Sequence, residues 1–291
     1  MFSWETADAA CKTAVCATSP MDLGTLGTNL PGSVNSEAFA VSDNGSVVVG
    51  NSLVALDPSQ YALHAFLWQN GVMVDLGALG GNWSTANDIS GSGEVVVGAA
   101  TTADGATTAF RWTKSTGMVD IGSLGNGATA WAVNKDGSVI VGQSVTVSRE
   151  NHAFRWTSSD GMSDLGTLGG DYAVAYDVND KGDVVVGGSS ISGPTGSHAF
   201  RWTTSAGMTD LGSFGGNSQA NAVNGSGSTV VGWAADEHGV TSAFRWTADT
   251  GMLSLGILPG GSGSIANDVS DDSSVVVGDS TSSGTSWRAF R

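Results

Sequence analysis

Short stretches of apolar and polar residues recur along this chain, and glycine-rich turns separate them. Residues 128–166 contain four such segments, each with the length of a strand. The first, ATAWAVN, runs into KDGS, whose Asp-Gly pair favours a two-residue hairpin. The second, SVIVGQS, is apolar on both faces, and the third, HAFRWT, places Phe154 and Trp156 on one face. GMSDLG is the fourth. The pattern predicts four strands and no helix.

The four segments recur in the same order in six units. The glycine that ends each D-L-G phrase is Gly24, Gly77, Gly122, Gly166, Gly212 or Gly256. The glycine that ends each V-V-V-G-like phrase is Gly50, Gly98, Gly142, Gly187, Gly232 or Gly278. The D-L-G phrases are 44 to 46 residues apart after the first unit. This repeat predicts an all-β chain folded as a β-propeller with six four-stranded blades. A β-solenoid is the alternative, but its coils are usually shorter.

The last unit has no D-L-G phrase of its own, because the sequence ends with SWRAFR at 286–291. A spare copy, MDLG at 21–24, precedes the first unit. We expect this copy to complete the sixth blade and close the ring. FSW at 2–4 is a surplus copy of the third strand. The expected organisation is an N-terminal segment, 1–20, followed by a single six-bladed propeller, 21–291.

Three recurring phrases, A-F-R-W-T, G-M-x-D-L-G-x-L-G-G and D-G-x-V-V-V-G, resemble those of the HAF-repeat family of bacterial extracellular proteins. The resemblance extends from about residue 21 to residue 291. It implies secretion or exposure at the bacterial cell surface, in some members as the passenger of an autotransporter. It implies no particular reaction.

Composition narrows the range of partners. The chain has 43 glycines, 5 prolines and 13% charged residues among 291, which favours an ordered, turn-rich β protein over disorder. Its 27 acidic and 11 basic residues give a net charge of -16, which repels phosphate backbones and anionic lipid. No apolar run approaches the roughly 20 residues of a spanning helix. We therefore expect no nucleic-acid partner and no direct membrane insertion.

The two cysteines lie close together, in the stretch ADAACKTAVCATSP. We favour a disulfide between Cys11 and Cys16, because no histidine or further cysteine is placed to complete a metal site. Such a bond would indicate an oxidising compartment and would stabilise the fold by about 2 kcal/mol. Two free thiols in a loop are the alternative.

Common catalytic motifs are missing, including G-x-S-x-G, H-E-x-x-H and the P-loop. His64, His152 and His198 share one position at the start of the third strand, where a structural role is favoured. The recurring Asp of D-L-G and Arg of A-F-R-W, including Asp164 and Arg155, predict cross-strand ion pairs. A charged ligand-binding stripe is the alternative for these residues.

One position of the first strand alternates around the repeat. It is occupied by Ala40, Asp88, Ala132, Asp177, Ala222 and Asp268 in the six units. A ring of six preserves this alternation, and a ring of seven would break it. If the position faces a central channel, the three carboxylates meet there with approximate threefold symmetry. They would hold a cation or accept backbone hydrogen bonds from neighbouring blades, and we expect no other cofactor.

The segments between the second and third strands differ most among units. Together with the L-G-G connections they should lie on one face of a rigid scaffold, which is the usual setting for binding. The candidate ligand-binding residues there are Trp83, Tyr172, Trp233, Asp236, Glu237, His238 and Trp287. Exposed aromatic residues beside carboxylates suit a sugar or a protein surface.

These features favour a monomeric, non-enzymatic binding or adhesion module located outside the cell or at its surface. The first alternative is a propeller hydrolase or lyase that acts on polysaccharide through the central carboxylates. Glycosidic chemistry needs paired carboxylates about 5 to 10 Å apart, which a symmetric ring does not obviously supply. The second alternative is a structural spacer of a longer surface protein.

Overall fold

The computed structural model of the protein describes residues 20–27, 35–57, 60–193, 196–283 and 286–291. These residues form strands and turns without a helix, so none of the described segments is a helix that could cross a membrane. Cys11 and Cys16 lie outside the described residues, and their disulfide stays a prediction.

The described strands form six consecutive units. Unit 1 contains β1 (Ser36–Val41), β2 (Val47–Asp57), β3 (Gln60–Gln69) and β4 (Val72–Gly77). Unit 2 contains β5 (Gly80–Ile89), β6 (Val96–Thr102), β7 (Thr107–Thr113) and β8 (Gly117–Asp120). Unit 3 contains β9 (Gly125–Val133), β10 (Val139–Thr146), β11 (Asn151–Thr157) and β12 (Gly161–Gly166). Unit 4 contains β13 (Gly169–Val178), β14 (Val184–Ile191), β15 (Ser197–Thr203) and β16 (Gly207–Asp210). Unit 5 contains β17 (Gly215–Val223), β18 (Thr229–Asp236), β19 (Thr241–Thr247) and β20 (Gly251–Gly256). Unit 6 contains β21 (Ser264–Val269), β22 (Val276–Thr281) and β23 (Trp287–Phe290).

Within each unit the strands pair antiparallel in chain order. A Ser or Asn at the end of the first strand fixes the hairpin turn. The Asn134 side-chain oxygen accepts the Val139 N–H at 2.8 Å, and Asn179 does the same for Val184 at 2.9 Å. Residues 179–183 therefore form the hairpin turn between the first and second strands of unit 4.

The first strands of units 1 to 6 contact one another in chain order, which makes the chain a β-propeller. The first strand of a unit starts opposite the end of the second strand, as in the pairing of Gly125 with Thr146. The connections between units therefore lie at the same end as the loops between second and third strands, and we call this end the loop face. The hairpin turns between first and second strands form the opposite end, which we call the turn face.

The hydrophobic core lies between neighbouring units, and similar buried side chains form it at successive junctions. The third-strand phenylalanines are 0 to 1% exposed, and they are Phe66, Phe110, Phe154, Phe200 and Phe244. A Cβ at Gly142 would collide with the Thr129 carbonyl oxygen and with the Phe154 ring. The V-V-V-G glycine is therefore needed so that the first strand and the phenylalanine can approach the second strand closely.

Units 6 and 1 are not joined as the other neighbours are. Units 2 and 3 also lack a strand pair, but their first strands contact each other, and no comparable contact joins a described strand of unit 6 to one of unit 1. Val41 in β1 is 56% exposed, whereas Val133 and Val223 at the same position are each 7% exposed. The first-strand face of unit 1 is thus left open toward unit 6.

The N-terminal phrase MDLG contacts unit 1 in this structure. Residues 21–24 form no strand, so the predicted pairing of this segment with unit 6 is not seen. Instead, the Leu26 N–H donates to Ser52 Oγ at 3.0 Å, and Ser36 Oγ donates to the Gly24 carbonyl at 2.8 Å. The segment is therefore anchored on the unit that follows it in the chain.

Candidate functional site

A β-bulge at the same position of every first strand shapes the central cavity. The extra residues are Phe39, Asn87, Trp131, Tyr176, Asn221 and Asn267. Each one directly precedes the position that alternates between Ala and Asp. Because a bulge redirects side chains, strict two-residue alternation cannot describe the wall of the cavity. Trp131 and Tyr176, which occupy this bulge position in neighbouring units, have ring centroids 6.5 Å apart.

Asp88, Asp177 and Asp268 all line one cavity of about 390 Å³. Two of them link one unit to the next. Asp88 Oδ2 accepts the N–H of Val133 in unit 3, and Asp177 Oδ2 accepts the N–H of Val223 in unit 5, both at 2.8 Å. The second oxygen of each carboxylate accepts the N–H of the residue that follows it. The backbone-bonding role that the sequence left open is therefore present at two junctions.

Burial perturbs two of these carboxyl groups. It raises the pKa of Asp88 from 3.8 to about 7, although the Val133 and Ile89 N–H groups act in the opposite direction. Burial also raises the pKa of Asp177 to about 7, and the negative charges of Asp88 and Asp268 contribute to that rise. The cavity therefore favours protonation of these side chains near neutral pH.

The predicted cation has no assembled ligand set among the residues that the structure describes, where no three His, Cys, Asp or Glu side chains are close enough to hold a metal. Both oxygens of Asp88 and of Asp177 already accept backbone hydrogen bonds. A cation at this position stays a prediction, and the observed contacts of these carboxylates are structural.

The mouth of the cavity on the turn face is built from the hairpin turns. The N–H of Asp43 donates to the Gly91 carbonyl at 3.1 Å, and the N–H of Gly91 donates to the Lys135 carbonyl at 3.0 Å. Lys135 Nζ lies 3.5 Å from Asp43 and 3.4 Å from Asp180. These contacts connect neighbouring units, and the two acidic side chains raise the pKa of Lys135.

The predicted ion pairs between the D-L-G aspartates and the A-F-R-W arginines are wrong. Asp164 lies opposite Phe154, so alternation places it on the face of His152, away from Arg155. His152 Nδ1 lies 2.8 Å from Asp164, and His64 and His198 make the same contact with their own aspartates. Arg155 Nε donates instead to the Gly182 carbonyl of unit 4 at 3.0 Å.

The candidate aromatic residues of the loop face are dispersed over the units. Tyr172 and Trp287 are 43% and 54% exposed, whereas Trp83 and Trp233 are half-buried within β5 and β18. Tyr172 forms a parallel bridge with Asn151, and its hydroxyl contributes to the raised pKa of Tyr176, of which burial is the larger cause. Tyr172 therefore lies close to Tyr176 of the same strand.

The polar candidates of the loop face belong to one exposed turn. Asp236 Oδ1 accepts the N–H groups of His238 and Val240, each at 2.9 Å. The His238 ring lies 3.6 Å from Glu237. Asp236 thus holds the turn in shape, and the exposed side chains are those of Glu237 and His238.

Sequence reasoning missed the Trp131–Tyr176 pair and the role of Lys135. The bulge that directs Trp131 and Tyr176 has no sequence signature beyond their shared position. The sequence does distinguish Lys135, because unit 3 carries this basic residue at the turn position where units 1 and 4 carry Asp43 and Asp180. Its two partners come together only when three units are assembled.

No protein-family model matches the sequence, and no curated protein matches it. Solved structures do resemble it. A TolB-type protein from Agrobacterium tumefaciens has a TM-score of 0.55 at 12% identity, over 77% of this chain and 81% of that one. TolB from Acinetobacter baumannii has a TM-score of 0.50 at 13% identity, over 75% of this chain and 53% of that one. A structure from a study of two prolyl endopeptidases has a TM-score of 0.53 at 13% identity, over 77% of this chain and 35% of that one.

These likenesses concern the fold alone. This chain spans about half the length of the Acinetobacter TolB and about a third of the prolyl endopeptidase. At 12 to 13% identity no activity or partner is carried over from them.

Proposed function

We propose that this chain is a non-enzymatic binding or adhesion module that presents its loop face to a glycan. The observation that supports this proposal is the variation in residue type at one position of the repeat, at the junction between neighbouring units on the loop face. In each unit this position lies one residue before the first-strand residue that pairs with a fixed position of the second strand. That second-strand position is occupied by Ala100, Ser144, Ser189 and Ala234 in units 2 to 5. The occupants of the junction position itself in units 2 to 5 are Trp83, Gly127, Tyr172 and Asn217.

The variation at this position contrasts with the interior. The buried phenylalanine of the third strand is the same in units 1 to 5. Substitutions on the loop face leave that frame intact, so the face can be adapted to a ligand without loss of the fold. The exposed aromatic rings of Tyr172 and Trp287 offer surfaces on which a sugar could stack.

The finer architecture that we propose is a six-bladed ring closed between units 6 and 1. In two even-numbered units the carboxylate accepts a backbone N–H from the next unit, that of Val133 or of Val223. Asp268 holds the same position in unit 6, and Val41 is the corresponding residue of unit 1. Leu26 also contacts Ser52 as Leu124 contacts Ser144 across the start of unit 3. Residues 20–27 would then be the outer edge of the sixth blade.

Amide hydrogen exchange tests the closure. In a closed ring the Val41 N–H bonds to Asp268, so its protection should match that of Val133 and Val223. Asp268→Ala should remove the protection at Val41 and leave the protection at Val133 unchanged. Rapid exchange at Val41 in the wild type would show that the ring is open in solution.

The net charge of -16 supports a module that works away from nucleic acid and anionic lipid. The resemblance to HAF repeats supports a location outside the bacterial cell or at its surface, where the passenger of an autotransporter would also lie. We propose that the module acts as a monomer.

A polysaccharide-acting enzyme is the second candidate, and one observation favours it. Asp88 and Asp177 have pKa values raised to about 7 by burial, as a general acid requires. We rank it second because both oxygens of each carboxylate accept backbone hydrogen bonds, which restrains them as links between units. A structural spacer is the remaining alternative.

A glycan array separates these candidates. The wild type should bind one class of glycan, and the mass of the bound glycan should not change. The double variant Tyr172→Ala with Trp287→Ala should reduce the binding signal at least tenfold. Val119→Ala removes an exposed apolar side chain from an outer strand and serves as the control. Cleavage of a bound glycan would instead support the enzyme, and absence of any signal would contradict the binding module.

A further inference from the structure

We propose that a cleft on the loop face, between units 2 and 3, is the binding site for a single neutral sugar ring. The inference rests on the proposed function and adds to the exposed rings of Tyr172 and Trp287 a separate subsite for one ring of the glycan. The cleft has a volume of about 270 Å³. Its lining includes Thr107 from unit 2 and Gly127, Thr129, Gln143, Val145 and Asn151 from unit 3.

The cleft exists because of the residue at the variable junction position. Unit 3 carries Gly127 there, where units 2 and 4 carry Trp83 and Tyr172. In unit 5 the side chain of Asn217 fills the position and accepts the Ser197 N–H at 3.1 Å. Gly127 has a φ of 127°, and a Cβ on it would lie 2.8 Å from the Thr107 carbonyl oxygen. The backbone thus excludes a side chain at this junction and leaves space.

An acceptor without a donor lies in the wall of this space. Asn151 Oδ1 is buried, and none of the described residues donates a hydrogen bond to it. A buried acceptor left unpaired costs about 1 to 3 kcal/mol, so a small movement of the Asn151 amide that brings it to a donor in the cleft is favoured. The side chains of Gln143, Thr107 and Thr129 also make no hydrogen bond with a described residue, and they add donors and acceptors around the same space.

The chemistry of the lining selects the class of ligand. None of its residues is charged, so it does not favour a charged ligand. Val145 supplies an apolar patch for the C–H face of a ring, and the amides and hydroxyls can exchange hydrogen bonds with its hydroxyl groups. Each of these features matches a pyranose.

A peptide fits this cleft less well. A volume of 270 Å³ lies just below the range of about 300 to 1,000 Å³ that is typical for drug-sized ligands, so it suits one small ring. Peptides often bind by adding a strand to a free sheet edge. Of the strands that border the cleft, β10 is paired with β9 and β11, and β11 is paired with β10 and β12, so neither offers a free edge there.

Isothermal calorimetry tests the proposal with glucose, galactose, mannose and N-acetylglucosamine at millimolar concentration. At least one of them should bind the wild type saturably. Asn151→Ser, which copies Ser197 of unit 4, and Gln143→Ala, which copies Ala99 of unit 2, should each weaken binding about tenfold or more. Gln69→Ala removes an exposed amide outside the cleft and should leave the affinity unchanged. Unchanged melting temperatures establish that the variants are folded.

The other outcomes overturn the proposal in distinguishable ways. Equal binding by the wild type and both cleft variants would place the sugar elsewhere and leave the binding module intact. Absence of binding, with an ordered water bonded to Asn151 Oδ1, would show that the cleft holds solvent only. If the glycan array is also silent, the proposed function fails with it. Binding of a peptide, but of no sugar, would contradict the assigned ligand class.

Discussion

On the turn face of this propeller the same contact between neighbouring units recurs, whereas on the loop face the residue at the junction changes from unit to unit. On the turn face, Asp43 and Gly91 both donate their backbone N–H to the same turn position of the next unit. On the loop face the junction position changes from Trp83 to Gly127 and then to Tyr172. This contrast indicates that the turn face and the buried strands hold the units together. The loop face is free to vary, and it is there that we place binding.

The largest expected effect comes from breaking the repeated frame. Phe154→Ala empties a fully buried site between units, so the free energy of unfolding should fall by about 3 to 5 kcal/mol. Val147→Ala, in the loop of the same unit, should change it by less than about 0.5 kcal/mol, since Val147 is 83% exposed. Urea unfolding of both variants measures the difference. Similar losses would remove the distinction between frame and loop.

A smaller effect should appear in the pH dependence of the frame. The folded-state pKa values of Asp88 and Asp177 are raised to about 7, above the ordinary value of 3.8. The folded state therefore binds more protons, and the resulting stabilisation is complete below pH 3.8 and is lost as the pH rises through about 7.

Thermal melting at pH 5 and pH 8 checks this expectation. The wild type should lose more stability between these pH values than the double variant Asp88→Asn with Asp177→Asn, which cannot titrate at either position. The comparison with the variant subtracts the general effect of the acidic surface. Parallel losses in the two proteins would contradict the raised pKa values.

The smallest effect is expected at the outer strands. Thr108 in unit 2 donates to Asp120 as the histidines of units 1, 3 and 4 contact their own aspartates. His152→Thr copies that arrangement, so its free energy of unfolding should stay within about 0.5 kcal/mol of the wild type. Asp164→Ala removes the partner of His152 and of the Gly166 N–H, and should cost about 1 kcal/mol. A costly His152→Thr would show that the imidazole has a role beyond this hydrogen bond.

The repeat made the strands and their order predictable. Alternating segments bounded by Asp-Gly and similar turns predicted four strands in each unit, and units 1 to 5 have them. Ring closure was not predictable to the same degree, because residues 21–24 match the D-L-G phrase but form no strand in the structure. A matching phrase alone specifies neither a strand nor its partner.

The site was less predictable because it depends on register. The sequence placed Asp164 and Arg155 on adjacent strands, but the pairing of Asp164 with Phe154 moved them to opposite faces. The bulge at Trp131 is likewise a property of two strands together. The cleft did leave a signal, because the connection into unit 3 carries Gly127 where the equally short connection into unit 5 carries Asn217.

Chemical-shift mapping by NMR with a glycan selected on the array tests the central contrast most directly. We predict that the amide signals of Gly127, Gln143 and Asn151 on the loop face shift in proportion to bound ligand. The amides of Gly45, Gly93 and Gly137 in the hairpin turns should stay in place. Shifts confined to the turn face, or to the residues around Asp88 and Asp177 in the central cavity, would contradict the assignment of binding to the loop face.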